Sequence, residues 1–170
     1  MTGSGGNGLS SPWLDTMGPV PTIEPIRLGI DGQAPADRAW AAITEPELVA
    51  RWFAEVTPLG AVGDPYRIDF GDGSLVEGRV LTVDTGQSFA YEWGWRDDDP
   101  RLVSRVAWQV RGLPDGGARV ELVHDGWTEA GADEAMRDDH EAYWSGYLDD
   151  LQALLDEAPS APAAGVRRPD

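Results

Sequence analysis

The side chains best suited to proton transfer in this sequence are its two histidines, His124 and His140. Imidazole titrates near neutral pH, so a histidine can serve as a general acid or a general base. Together with Tyr143, the pair could carry acid–base chemistry inside a pocket. A single inward histidine is, however, more often a hydrogen-bonded core residue than a catalyst. Catalysis and a structural role both stay open on the sequence alone.

The composition excludes several other kinds of chemistry. The sequence has no cysteine, which excludes disulfides, thiol nucleophiles and thiolate metal ligands. All 13 basic residues are arginine, so neither a lysine Schiff base nor a Walker lysine can form. Two histidines without a nearby third ligand make a poor metal site. We therefore expect no metal and no cofactor.

The charge of the chain bears on its partners and its location. A formal net charge of −17 argues against nucleic acid and anionic membranes, because both require cationic patches. No apolar run is long enough to cross a membrane, and the N-terminus lacks the pattern of a signal peptide. We expect a cytoplasmic protein whose partner is a small hydrophobic molecule or another protein. Nothing in the pattern specifies an oligomeric state.

A long amphipathic helix is predicted over residues 131–157. Its apolar positions fall within a sector roughly 140° wide on a helical wheel, and acidic residues occupy the other side. These apolar positions are Met136, His140, Tyr143, Trp144, Tyr147, Leu148, Leu151, Leu154 and Leu155. A stripe this wide needs a broad concave partner, which only a sheet from the rest of the chain can supply.

The remaining pattern predicts that sheet and two short helices. Residues 22–30 alternate as a first strand, and short helices follow from Pro35 and over residues 47–53. Period-two alternation then recurs with short turns, which is typical of an antiparallel meander. Its strands are predicted at residues 66–70, 76–84, 88–95, 102–111 and 119–124. Residues 1–20 and 158–170 are expected to be disordered tails around one domain, 21–157.

The order of these elements, with five stretches of sequence, resembles a known family. The stretches are APADRAWAAITEPELVARWF at 34–53, VEGRVLTVD at 76–84, FAYEW at 89–93, ARVELVHDGW at 118–127 and HEAYWSGYLDDL at 140–151. They resemble the START-like (SRPBCC) superfamily, in the branch named for the C-terminal domain of Hsp90 ATPase activators. The resemblance implies an α+β helix-grip fold (START-like, Bet v-like). In it a curved antiparallel sheet wraps around a long C-terminal helix, with two short helices after the first strand.

A helix-grip fold leaves a cavity between the sheet and the long helix. By alternation we expect twelve residues to face it: Tyr66, Phe70, Phe89, Tyr91, Trp93, Trp108 and His124 from the sheet, and Met136, His140, Tyr143, Trp144 and Tyr147 from the helix. Tyr143 occupies a position where family members commonly have glycine, and we expect it to point near the stripe centre and narrow the cavity. The opposing expectation is a core filled by these side chains.

Three functions follow from this arrangement. The leading hypothesis is a non-enzymatic module that binds a small hydrophobic molecule in the cavity, or a protein partner at its rim. The second is an enzyme like the superfamily's polyketide cyclases and dehydratases, with His124, His140 and Tyr143 as acid and base. The third is a chaperone-associated regulator similar to Hsp90 ATPase activators, which the name of the branch implies.

Overall fold

The alternating stretches of the sequence form one antiparallel sheet. The structure, a computed structural model, describes residues 22–157. Its strands are β1 (Ile26–Gly32), β2 (Glu55–Val56), β3 (Pro65–Asp69), β4 (Leu75–Asp84), β5 (Ser88–Trp95), β6 (Val103–Gly112) and β7 (Ala118–Asp125). They lie in the order β1-β7-β6-β5-β4-β3-β2, and every neighbouring pair is antiparallel. The predicted meander is confirmed, and β1 joins it at the edge beside β7.

Two short helices follow β1, and one short and one long helix follow the last strand. They are α1 (Ala36–Thr44), α2 (Pro46–Val49), α3 (Trp127–Ala130) and α4 (Glu134–Asp156). The second helix was predicted over residues 47–53, but it ends after a single turn. Neither α3 nor β2 was predicted, because four and two residues are too short to show a period.

The long helix begins three residues later than predicted. Gly131 has φ of +78°, the left-handed conformation that ends α3. Asp133 then caps α4, because its carboxylate accepts a hydrogen bond of 2.8 Å from the amide of Met136. Such a cap satisfies one of the free amides at the start of the helix. The start of α4 is therefore set by a turn and a cap rather than by the apolar stripe.

The sheet curls around one face of α4. The buried residues of the helix are Trp144, Leu148, Leu151 and Leu155. Alternate residues of β5, β6 and β7 are buried against them, as the period-two pattern predicted. This arrangement confirms the α+β helix-grip fold. Among residues 22–157 no helix is long and apolar enough to span a membrane. The predicted tails, residues 1–20 and 158–170, lie outside the described residues.

A candidate ligand-binding pocket

A cavity of about 360 Å³ lies between α4 and the end of the sheet near the β3–β4 turn. Its lining consists of seven aromatic rings with one histidine, one aspartate and one serine. These residues are Phe53, Phe70, Asp72, Ser74, Trp93, Trp95, His140, Tyr143, Trp144 and Tyr147. Asp72 and Tyr143 are exposed, so they mark the mouth of the cavity. We refer to this cavity as the aromatic pocket.

Phe53, just after α2, connects the helical and sheet walls of the aromatic pocket. Its ring stacks on Trp144 at 5.2 Å between centroids and meets Tyr147 edge-on at 4.9 Å. On the sheet side it meets Phe70 edge-on at 5.5 Å, and Phe70 in turn lies 5.4 Å from Trp95. Offset and edge-to-face pairs of this kind are favourable beyond the area they bury. The rings therefore hold each other in place around the open space.

His140 lies in the wall of the pocket with both ring nitrogens engaged. Its Nδ1 is 2.8 Å from the carbonyl oxygen of Met136, which can only accept, so Nδ1 carries the proton. Its Nε2 accepts a hydrogen bond of 3.1 Å from the indole N–H of Trp95. Burial lowers the pKa of His140, although the Met136 carbonyl and the charges of Asp139 and Asp98 partly oppose this. The imidazole is therefore neutral, and its lone pair is occupied.

His124 is fully buried behind the pocket, and its hydrogen bonds define the opposite tautomer. The indole N–H of Trp144 donates to Nδ1 at 3.0 Å, so the proton must lie on Nε2, which donates to Ser104 Oγ at 2.7 Å. Burial, and then the nearby His140, hold the pKa of His124 well below its usual value. His124 is thus a satisfied core residue and does not line the aromatic pocket.

The structure brings together half of the predicted lining. Six of the twelve predicted residues line the aromatic pocket: Phe70, Trp93, His140, Tyr143, Trp144 and Tyr147. Met136 instead lines a separate cavity of about 10 Å³. That volume is about the size of one water molecule. Trp93, Trp95 and His140 line both cavities and separate them.

The other predicted residues fill the core, which corrects the expectation that the whole sheet faces an open cavity. Tyr66, Phe89, Tyr91 and Trp108 are buried and line no part of the aromatic pocket. Trp52, which follows α2, packs edge-on against Trp108 at 5.8 Å and donates its indole N–H to the carbonyl of Ala42. The α1–α2 unit therefore closes this end of the fold, and burial there raises the pKa of Tyr66 and of Tyr91.

Tyr143 differs from its predicted position. It was expected near the centre of the apolar stripe, but its side chain is 69% exposed. Consecutive helical residues are 100° apart, so the full burial of Trp144 leaves Tyr143 at the border of the stripe. It therefore stands at the mouth of the aromatic pocket and does not narrow its interior.

Four lining residues were not predicted: Phe53, Asp72, Ser74 and Trp95. Trp95 lies two residues after Trp93 in β5, so the alternation alone could have predicted that both side chains lie on this face. Asp72 and Ser74 belong to a turn that the sequence marks by its glycines, but only tertiary structure brings that turn next to α4. Within residues 22–157, no group of three or more His, Asp or Glu side chains is arranged to hold a metal ion.

Comparison with known proteins identifies the family. The sequence profile described as "Activator of Hsp90 ATPase homolog 1-like protein" matches residues 33–156, most of the chain. The chain belongs to this family. The family assignment confirms the START-like (SRPBCC) resemblance of the sequence. A comparison with the curated proteins finds no significant match.

Solved structures of several other proteins share the fold. Protein MLL2253 from Mesorhizobium loti is 22% identical with a TM-score of 0.69, over 78% of this chain and 96% of that one. SPO3351 from Silicibacter pomeroyi is 27% identical with a TM-score of 0.64, over 78% of this chain and 97% of that one. DynU16, a protein of the dynemicin biosynthetic locus, is 24% identical with a TM-score of 0.68, over 77% of this chain. This chain spans only 46% of the length of DynU16.

Proposed function

We propose that this protein binds a small hydrophobic molecule in the aromatic pocket and catalyses no reaction there. The observation that carries the proposal is an open cavity of about 360 Å³ walled by seven aromatic rings. Ligand pockets commonly measure about 300 to 1,000 Å³ and are lined by apolar rings with a few polar groups. Ser74 and the hydroxyl groups of Tyr143 and Tyr147 supply such polar groups.

The state of the two histidines favours binding over catalysis. A general base needs a free lone pair within hydrogen-bond reach of the proton that it removes. The lone pair of His140 is occupied by the Trp95 indole, and that of His124 by the Trp144 indole. An enzyme of the polyketide-cyclase type that used a histidine as its base would have to break one of these bonds before the ring could accept a proton. The hydrogen bonds therefore support a module that binds without acid–base chemistry.

One comparison also supports a small molecule as the ligand. DynU16 is described as a protein of a biosynthetic locus, where small molecules are the substrates and products. We extend that setting to this chain as part of the proposal. A cytoplasmic location, which the cysteine-free composition favours, belongs to the same proposal.

A fluorescence titration with a pocket-filling variant tests the proposal. Neutral aromatic and isoprenoid-like compounds should quench tryptophan emission, because Trp93, Trp95 and Trp144 line the pocket. Ser74→Phe places a ring inside the cavity and should weaken binding by about tenfold or more, since about 1.4 kcal/mol of lost contact suffices. Ser145→Phe adds the same ring to an exposed position of α4 and should leave binding unchanged. Equal binding by both variants would contradict the proposal, as would the absence of any quenching ligand.

A second candidate function rests on the family itself. Membership in a family described by Hsp90 ATPase activation favours a chaperone partner. In that case the chain would raise the ATPase rate of Hsp90 from the same host, and Ser74→Phe would leave the stimulation intact. A steady-state ATPase assay with and without the chain separates this function from ligand binding.

A further inference from the structure

A single carboxylate is fixed at the mouth of the aromatic pocket. Asp72 lies in the β3–β4 turn between Gly71 and Gly73, whose φ angles of +81° and +96° favour glycine. Its Oδ1 accepts a hydrogen bond of 2.8 Å from the amide of Ser74, another residue of the lining. The amide and then the hydroxyl of Ser74 lower the pKa of Asp72. The turn therefore holds an ionised carboxylate at the entrance.

The negative charge at the mouth also acts on the interior wall. The pKa of Tyr147 is raised, first by burial and then by the charge of Asp72, with smaller effects from Tyr143 and Asp150. On the side of His140, the charges of Asp139 and Asp98 favour a positive ring. Among residues 22–157, none of those that line the pocket is an arginine, and the chain has no lysine. A ligand in the pocket therefore encounters negative charge without a compensating cation.

The aromatic walls of the pocket also favour a positively charged ligand group. An aromatic ring presents a negative face, which attracts an ammonium group within about 6 Å of its centre. Trp95, Phe70 and Tyr147 are only partly buried and line the cavity near the turn that carries Asp72. Rings around a cation, with one carboxylate beside them, are the chemistry that recognises substituted ammonium groups. A carboxylate ligand would lose its hydration and meet repulsion in the same place.

We propose that the aromatic pocket selects an organic cation, an amine or quaternary ammonium group carried on a hydrophobic body. The body occupies the space among the rings, and the cationic group sits at the mouth beside Asp72. This inference rests on the proposed function, because it names the ligand class of the same pocket. It goes beyond the sequence-based expectation of a small hydrophobic molecule, which did not place Asp72 at the pocket.

Three probes that share one ring system test the inference by calorimetry at low salt. They are (2-naphthylmethyl)trimethylammonium, 2-naphthalenemethanol and 2-naphthoate. The cation should bind about tenfold more tightly than the neutral alcohol, and the carboxylate should bind most weakly. Added salt should reduce the advantage of the cation, because the mouth is open to solvent.

Two matched variants identify the carboxylate responsible. Asp72→Asn keeps the acceptor for the Ser74 amide but removes the charge, so it should abolish the cation's advantage and leave the alcohol unaffected. Asp115→Asn is the control, because Asp115 accepts from the amide of Gly117 at 2.9 Å in an equivalent turn that does not line the pocket. It should change neither affinity.

The outcomes separate this inference from the proposed function. If the alcohol binds as tightly as the cation, or if Asp115→Asn lowers the cation's affinity as much as Asp72→Asn does, the choice of an organic cation is wrong. The proposal of hydrophobic binding would survive that result. If none of the three probes binds to the wild-type protein, both proposals are overturned.

Discussion

At the scale of single residues, the informative feature is how the two histidines are used. The sequence indicated that both point inward, and both are indeed buried or partly buried. The lone pairs of the two rings are occupied by the indole groups of Trp144 and Trp95, which are distant from their partners in the sequence. Alternation predicts the face of a residue, but it cannot predict which donor meets its lone pair. A catalytic role and a structural role therefore look the same in the sequence.

Because His124 is buried, we predict that the protein loses stability in acid. Its pKa in the native state lies below the ordinary 6.5, so the unfolded chain takes up the proton first as the pH falls. Stability should be independent of this group above about pH 6.5 and should fall below that by about 1.4 kcal/mol per pH unit. The loss continues until the native pKa is reached. Urea unfolding across this range measures the slope.

The matched variant for this slope is His124→Asn. Asparagine keeps an acceptor for the Trp144 indole and does not titrate. The variant should be less stable at neutral pH, because Ser104 loses its ring partner, but its slope should be smaller by the contribution of one histidine. Identical slopes for the two proteins would mean that His124 titrates normally in the native state.

Trp95 should control the protonation of His140. Its indole N–H stabilises the neutral imidazole, so Trp95→Phe should raise the pKa of His140 toward the usual range. NMR titration of the His140 ring protons measures the shift. Trp40→Phe serves as the control, since Trp40 packs on Phe89, away from either histidine. An unchanged pKa in Trp95→Phe would show that the bond contributes nothing.

At the scale of elements, periodicity predicted the parts of the fold that bury a long regular face. The strand at residues 88–95 was predicted with its observed bounds, and the stripe of α4 identified its buried leucines. What periodicity could not predict is where the sheet stays open. Trp52 and Phe53 are adjacent, yet Trp52 packs against Trp108 in the filled end and Phe53 lines the pocket. That difference arises from contacts between distant parts of the chain.

The face of α4 can be tested by two substitutions close together in the sequence. Leu151 is completely buried, so Leu151→Ala should destabilise the protein by about 3 kcal/mol through lost packing and a residual cavity. Asp149 is exposed on the other side, and Asp149→Ala should change stability by less than about 0.5 kcal/mol. Chemical denaturation measures both values. Comparable losses at the two positions would mean that the buried face of the helix is misassigned.

At the scale of the whole molecule, the family and the fold establish the architecture of the pocket, and the charge of the chain bears on its ligand. The family assignment and the antiparallel sheet around α4 establish the architecture, and both were foreseen from the sequence except for the two-residue strand β2. The chain carries a formal net charge of −17, and none of the described residues that line the pocket is an arginine or lysine. Diffusing anions would be repelled and cations attracted before they reach the mouth. The overall charge and the local chemistry of the pocket therefore favour the same ligands.

The central claim is that the aromatic pocket holds a small molecule. Native mass spectrometry of the protein purified from its own host tests this most directly, with Ser74→Phe and Ser145→Phe purified alongside. The account predicts an added mass from a bound small molecule on the wild-type protein and on Ser145→Phe, and none on Ser74→Phe. An added mass that Ser74→Phe retains, or its absence from all three proteins, would contradict the claim.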